Sequence, residues 1–185
     1  MKIAITGGIG SGKSYVCNLL HQRGISIYDC DRAAKRLMRS SVALRQQLCA
    51  LIGSDAYDNE GKLNKAVVAK FLLESDRNVQ AIDAIVHPAV ASDFLQSQMQ
   101  WMECAILYES GFDRLVDRVI VVTAPEAIRI ERIMQRDGIT REKALDWIHR
   151  QWPQEKVRQL ADYEIVNDGY TDLKQQIERI INCNQ

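Results

Sequence analysis

The residues best suited to chemistry lie in one short segment, Gly7-Gly8-Ile9-Gly10-Ser11-Gly12-Lys13-Ser14. Its spacing, G-x-x-x-x-G-K-[ST], stands between a short apolar run and a stretch with helical spacing of apolar residues, which is the context that a phosphate-binding loop requires. The glycines let backbone N–H groups converge on phosphate oxygens, and the positive end of the following helix points at the same anion. We expect Lys13 to reach the β- and γ-phosphates of a nucleotide and the Ser14 hydroxyl to ligate Mg²⁺. The alternative is a glycine-rich turn that binds nothing, but such a turn does not need the complete motif.

Two aspartates follow the second predicted strand, Ile25 to Tyr28, and could serve in acid–base chemistry. Asp29 and Asp31 are two residues apart, so both side chains lie on one face if the strand continues. Either carboxylate could accept the proton of an acceptor hydroxyl or position Mg²⁺. The alternative is that Asp31 only caps the helix that we predict from Arg32 to Arg39. The local sequence does not decide between these two roles.

Two arginines are candidates for binding a transferring phosphoryl group. Arg132 and Arg136 are four residues apart, so they share one face of the helix that Pro125 and Glu126 open. Guanidinium forks suit phosphate oxygens, whereas the alternative is a solvated helix face paired with neighbouring glutamates.

His87, which precedes Pro88, is a further candidate and could touch a substrate. The alternative is that it only ends a helix, because the residue before proline avoids the α region.

Strand and helix signals alternate along the chain. The continuous apolar run from Val119 to Val122 is typical of a strand in a parallel sheet. A compact apolar run from Glu103 to Leu107, ending at Glu109, is interpreted as another strand. Strands separated by helices predict an α/β fold of the P-loop NTPase type, in which helices flank a parallel sheet.

We predict a single domain of three parts. The core takes up about residues 1–31, 103–135 and 162–185. The nearly all-helical interval of about 32–102 is far longer than a simple crossover connection needs, so we interpret it as an insertion that binds an acceptor substrate. A charged helical segment of about 136–161 is predicted to form a lid.

Composition argues against several kinds of partner and location. Lys plus Arg and Asp plus Glu both number 24, so the net charge is zero, which argues against nucleic-acid binding through a basic surface. No apolar stretch approaches the roughly 20 residues of a membrane span, and the first strand begins so early that we expect no signal peptide. The five cysteines are scattered and form no C-x-x-C pair, so we expect reduced thiols, no zinc site and a cytoplasmic protein.

The motifs favour a small-molecule kinase over other phosphate-loop proteins. Regulatory GTPases read guanine with an N-K-x-D segment, which Asn64-Lys65-Ala66-Val67 does not match. Many ATPases place Asp at the tip of a buried strand, whereas the run ending at Glu109 has no Asp there. A small-molecule kinase needs a phosphate loop, a carboxylate near the acceptor hydroxyl, an acceptor-binding part and an arginine-bearing lid that excludes water, and this chain has a candidate for each.

Over essentially its whole length the chain resembles the bacterial dephospho-CoA kinases. The family's opening, Thr-Gly-Gly-Ile-Gly-Ser-Gly-Lys-Ser, stands unbroken from Thr6 to Ser14, and its Asp-Ala-Asp segment is similar to Asp29-Cys30-Asp31. The family's His-Pro element is similar to His87-Pro88, and its strand end of the pattern Leu-Leu-x-Glu is similar to Ile106 to Glu109. Its arginine-rich segment is similar to Arg129 to Asp137, and its late Asn-x-Gly is similar to Asn167 to Gly169. The phosphate loop alone occurs in many families, but the ordered set is much more specific.

The resemblance implies a P-loop kinase that moves the γ-phosphoryl group of ATP, with Mg²⁺, to the ribose 3′-hydroxyl of dephospho-CoA. This reaction is the last step of CoA synthesis, and the partners expected are these small molecules, with no nucleic acid and no membrane. The resemblance also implies that Asp31 is the general base, beside Lys13, Arg132 and Arg136 as the other catalytic residues. The residues expected to bind ATP are Gly8, Gly10, Ser11, Gly12, Lys13, Ser14, Tyr15 and Asn167. Those expected to bind the acceptor are Asp29, Asp31, Lys35, His87 and Glu109.

Four positions depart from the family's pattern. Tyr15, Cys30, Lys35 and Ala105 stand where Thr, Ala, Arg and Pro are common. None of these changes removes a catalytic group, although Tyr15 could alter packing near the nucleotide and Lys35 could alter the anchoring of the acceptor. Two alternatives stay open: a kinase for another small alcohol or nucleotide, and an ATP-binding switch that transfers nothing.

Overall fold

The computed structural model describes residues 1–183. Its strands are β1 (Ile3–Thr6), β2 (Ile27–Asp29), β3 (Trp101–Glu103), β4 (Arg118–Thr123) and β5 (Tyr163–Val166). They form one sheet in the order β2-β3-β1-β4-β5. β1 pairs in parallel with β3 and with β4, and β4 pairs in parallel with β5.

Helices follow the strands, as the sequence predicts. They are α1 (Lys13–His21), α2 (Cys30–Ser40), α3 (Val42–Ile52), α4 (Lys65–Glu74), α5 (Asp76–Ser97), α6 (Glu126–Asp137), α7 (Arg141–His149), α8 (Gln154–Leu160) and α9 (Leu173–Cys183). The predicted α/β class with a parallel sheet flanked by helices is therefore confirmed. Within residues 1–183, no helix combines the length and the hydropathy needed to cross a membrane.

The sheet is the centre of the first of two compact units, which contains residues 1–28 and 99–183. β1 is buried along its whole length, and β4 is buried except at its first residue, because central parallel strands are covered on both faces. α1 and α9 supply the apolar side chains Leu20 and Ile177 to the same core cluster as Ile5 and Ile120. This packing fixes α1 directly after the phosphate loop.

The second compact unit spans residues 29–98 and consists of α2 to α5 with a short 3-10 turn. Its buried side chains include Leu44, Leu48 and Phe94. The Tyr57 hydroxyl donates a hydrogen bond of 2.7 Å to the Met38 carbonyl and ties the turn to α2. Acceptor binding by this helical part stays a prediction.

Pro88 does not interrupt the helix, contrary to the prediction from His87-Pro88. α5 runs unbroken from Asp76 to Ser97 with Pro88 inside it. A proline in a helix removes one backbone donor and crowds the preceding turn. The buried side chains of Val86, Val90 and Phe94 on the same helix supply the packing that outweighs this local preference.

The predicted strand from Glu103 to Leu107 is also wrong, because β3 ends at Glu103 and residues 105–111 form turns. Leu107 is fully buried within these turns. Burial alone therefore explains why this run is apolar. A short apolar run in a buried turn cannot be distinguished from a short strand by the periodicity of its sequence. The shift makes Glu103 the acidic residue at the end of the strand.

Candidate active site

The phosphate loop leads from β1 into α1 and has the backbone geometry that the motif predicts. Gly10 and Gly12 have φ values of 79° and 86°, which residues with a side chain rarely adopt. Atoms that lie close to Gly10 and Gly12 also leave no room for a side chain at either position. A Cβ at Gly10 would lie 2.6 Å from the Arg129 carbonyl oxygen, and a Cβ at Gly12 would collide with the Asn167 side chain.

Lys13 and Glu103 form an ion pair at the mouth of the loop. Glu103 lies opposite Ile5 in the pairing of β1 with β3, so the strand register brings its carboxylate beside the loop that follows β1. The Ser14 hydroxyl lies 3.5 Å from the same Glu103 oxygen. The Lys13 and Glu103 side chains are only 14% and 16% exposed, and such partial burial weakens the screening of their charges by water. Sequence reasoning missed Glu103, because the predicted strand ran to Leu107, four residues beyond the end of β3.

A hydroxyl and a carboxylate are oxygen ligands of the kind that Mg²⁺ prefers. Within the described part of the chain no group of three or more His, Cys, Asp or Glu side chains could hold a metal. Such a cage is not required in a kinase, because Mg²⁺ is bound there by one or two protein oxygens together with phosphates and water. Ser14 and Glu103 therefore fit a magnesium ion that arrives with the nucleotide.

Arg132 is held against the phosphate loop by hydrogen bonds to backbone carbonyls. Its guanidinium donates to the carbonyl oxygens of Gly10 and Ser11, both at 3.3 Å, and to that of Asn167 at 3.1 Å. Asn167 is buried, and its side-chain amide donates to the Ser11 carbonyl at 2.9 Å. The structure thus brings Arg132, Asn167 and the loop together.

Arg136, by contrast, is bonded to its neighbour Asp137 at the end of α6, with a closest distance of 2.7 Å. Its side chain is 60% exposed, and an exposed pair of this kind contributes little to stability. Tyr15, the next residue after Ser14, is also exposed. Neither side chain is fixed by packing against the rest of the unit.

Asp29 and Asp31 have different structural roles. Asp29 is the N-cap of α2, where its carboxylate accepts a hydrogen bond of 2.8 Å from the Arg32 backbone N–H. Asp31 lies inside the first turn of the helix and is exposed. The alternative in which Asp31 caps the helix is therefore wrong. The strand ends at Asp29, so the two carboxylates do not share a strand face.

Three further candidates are placed as follows. Lys35 is exposed on α2, in the helical unit. His87 lies on α5 in the same unit, with its Nε2 atom 3.4 Å from an oxygen of Asp83. In the sheet unit, Glu109 is exposed and accepts a hydrogen bond of 3.3 Å from the Trp152 backbone N–H. Their roles toward a substrate stay predictions.

Comparison with known proteins gives matches over nearly the whole chain. A family model described as dephospho-CoA kinase matches residues 1–173. The dephospho-CoA kinase of Porphyromonas gingivalis is 42% identical over 189 residues, which cover 97% of this chain and 92% of the relative. That of Bacteroides fragilis is 37% identical over 188 residues, which cover 98% and 91%. A crystal structure from Thermus thermophilus superposes with a TM-score of 0.85 at 28% identity, over 100% of this chain and 97% of that one.

Proposed function

The chain belongs to the dephospho-CoA kinase family, and on that premise we propose which of its residues carry each part of the reaction. The enzyme is an ATP-dependent kinase. With Mg²⁺ it moves the γ-phosphoryl group of ATP to the 3′-hydroxyl of dephospho-CoA and gives CoA and ADP, the last step of coenzyme A biosynthesis. ATP and dephospho-CoA are its small-molecule substrates.

The main observation that supports these roles is that Glu103 forms an ion pair with Lys13 and contacts the Ser14 hydroxyl at the phosphate loop. Lys13 exchanges its carboxylate partner for the β- and γ-phosphates when ATP binds, and its charge stabilises the phosphoryl group during transfer. The loop N–H groups and the N-terminus of α1 bind the remaining phosphate oxygens. Tyr15 and Asn167 complete the nucleotide site, with Asn167 acting through the loop backbone that it holds.

Ser14 and Glu103 would hold Mg²⁺. The ion, when bound, neutralises charge on the β- and γ-phosphates. Glu103 would be the counter-ion of Lys13 until the phosphates replace it, and its carboxylate would then be available to hold Mg²⁺.

Asp31 acts as the general base that takes the proton of the acceptor hydroxyl. Since Asp29 already caps α2, the negative charge of Asp31 is not needed for the helix start. Within residues 1–183 the side chain of Asp31 has no hydrogen bond or ion pair, and its carboxylate is free for an acceptor. Asp29 then orients Asp31 by fixing the first turn of α2.

The two arginines of α6, Arg132 and Arg136, have different roles. Arg132 shapes the phosphate loop through its carbonyl contacts, whereas Arg136, which is exposed and weakly held, binds the transferring phosphoryl group through its guanidinium fork. We assign residues 136–161 to a lid and 32–102 to acceptor binding. The proposed contacts of Lys35, His87 and Glu109 with the acceptor follow from the resemblance to the family.

We also propose that the protein works in the cytoplasm. All five cysteines are free thiols in the structure, as is usual for proteins of a reducing compartment. Its substrate ATP is a cytoplasmic metabolite as well.

Acceptor-dependent release of ADP separates this function from the alternatives. We expect ADP to form with ATP, Mg²⁺ and dephospho-CoA, and not when dephospho-CoA is omitted or replaced by shikimate, gluconate or a deoxynucleoside. ADP formation with one of these other alcohols in place of dephospho-CoA would identify a different kinase. ATP binding without any acceptor-dependent ADP would identify a nucleotide-binding switch.

A further inference from the structure

One residue of the phosphate loop, Ile9, is anchored at three points by the segments that follow β4. Its backbone N–H donates a hydrogen bond of 2.7 Å to Gln151 Oε1, and its carbonyl accepts one of 2.9 Å from Arg129 Nε. Its side chain packs against an apolar cluster of α6 and α7 that consists of Ile130, Ile133, Ala144 and Ile148. Both backbone polar groups of one loop residue are thus bonded to side chains more than a hundred residues away.

The side chains of Arg129 and Gln151 both contact the phosphate loop beside Gly8. A Cβ at Gly8 would lie 2.6 Å from Arg129 Nη2 and 3.3 Å from Gln151 Oε1. Gln151 lies just after α7, so the contact comes from the segment that we assign to the lid. Arg129 projects from α6 and is 5% exposed, and its burial lowers its pKa while the Glu126 carboxylate raises it.

A buried guanidinium without an ion pair is costly to maintain, and in the described chain Arg129 has no salt bridge. The bonds of Arg129 and Gln151 to Ile9 restrict the backbone just before the N–H groups that bind phosphate. A loop whose shape is set in advance pays less conformational entropy when its ligand binds.

We propose that Arg129 and Gln151 clamp the backbone of Ile9 and hold the phosphate loop in the shape that ATP requires. Both are positioning residues, because they act through Ile9 and not by contact with the nucleotide. The segment after α7 then contributes to ATP affinity although it supplies no phosphate ligand. This inference rests on the proposed binding of ATP by the loop.

A double-mutant cycle on ATP affinity tests the clamp. Calorimetry would give the Kd of ATP for Gln151→Met, Arg129→Met and the double variant. We expect each single change to raise the Kd about tenfold, which corresponds to one lost hydrogen bond. The double variant should lie within about threefold of the single variants, since residues that act as one unit are not additive. The Kd of dephospho-CoA should not change.

Matched controls carry the same substitutions elsewhere on the sheet unit. Gln175→Met changes an exposed glutamine of α9, and Arg118→Met changes an exposed arginine at the start of β4. Both should bind ATP like the parent. If Arg129→Met does not fold, Arg129→Lys takes its place, because lysine keeps the charge but cannot reproduce the Nε–H fork.

Three results would overturn the clamp: single variants with the parent's Kd for ATP, a double variant weakened by the product of the two single effects, or an equal loss of affinity for dephospho-CoA. A parent protein that binds no ATP would instead refute the proposed function itself.

Discussion

The Lys13 ammonium group forms an ion pair with the Glu103 carboxylate and so joins the phosphate loop to the end of the adjacent strand β3. The ammonium group therefore has a counter-ion before any phosphate is present. In the mechanism that we propose, ATP replaces this partner, and the carboxylate then becomes available near the Ser14 hydroxyl, which lies 3.5 Å from it. Substitutions of Lys13 and of Glu103 should therefore have different effects.

Removing the charge of Lys13 should abolish most of the activity. Lys13→Ala is expected to lower turnover by about two to four orders of magnitude, because a preorganised charge that stabilises the transition state is lost. The fold should persist, since the loop backbone keeps its other contacts. Steady-state kinetics together with circular dichroism check both points, and near-parental turnover in a folded variant would refute the role of the loop.

Glu103→Gln should change the magnesium requirement. The amide keeps the shape of the side chain but is a poorer ligand for Mg²⁺ than a carboxylate. We expect turnover to fall about 10²-fold at saturating ATP and the half-saturating concentration of Mg²⁺ to rise. A magnesium titration of the rate measures this. Glu131→Gln, the same change at an exposed position of α6, is the control, and identical titrations for the two variants would remove Glu103 from the metal site.

The two arginines of α6 should give different kinetic signatures. Arg136→Lys keeps one charge but loses the bidentate fork, so turnover should fall while the Kd of ATP changes little. Arg132→Lys should weaken ATP binding as well, because Arg132 holds the carbonyls of Gly10 and Ser11. Both parameters can be read from kinetics and calorimetry on the same preparations. Full activity of both variants would leave these arginines without a role in transfer.

Asp31→Asn should separate catalysis from helix formation. Asparagine cannot take the acceptor's proton, so turnover should fall about 10²- to 10⁴-fold. Stability should stay within about 1 kcal/mol of the parent, because Asp29, and not Asp31, caps α2. Asp29→Asn preserves the cap and should retain most activity. An inactive Asp29→Asn beside an active Asp31→Asn would reverse the assignment, and two active variants would leave the pair with a structural role.

The phosphate loop was predictable from sequence because all of its determinants lie within eight consecutive residues. Glu103 was not, because its position depends on where β3 ends, and that end is set by pairing with the distant strand β1. Local preference also failed at Pro88, where buried neighbours keep α5 continuous.

The contacts of Arg129 and Gln151 with Ile9 could not be predicted for the same reason. The partners are 120 and 142 residues apart along the chain. No local pattern distinguishes these two side chains from the other arginines and glutamines. Their role depends on the packing of α6 and α7 around the loop, which the amino-acid order does not display.

Phosphorus NMR of the product mixture tests most directly whether a phosphoryl group is transferred to the 3′-hydroxyl of dephospho-CoA. Dephospho-CoA contains a diphosphate but no phosphomonoester, so a new phosphomonoester signal assigned to the ribose 3′ position should grow in equal amount with ADP. ADP without that signal, or a phosphoryl group attached at another position, would contradict the claim.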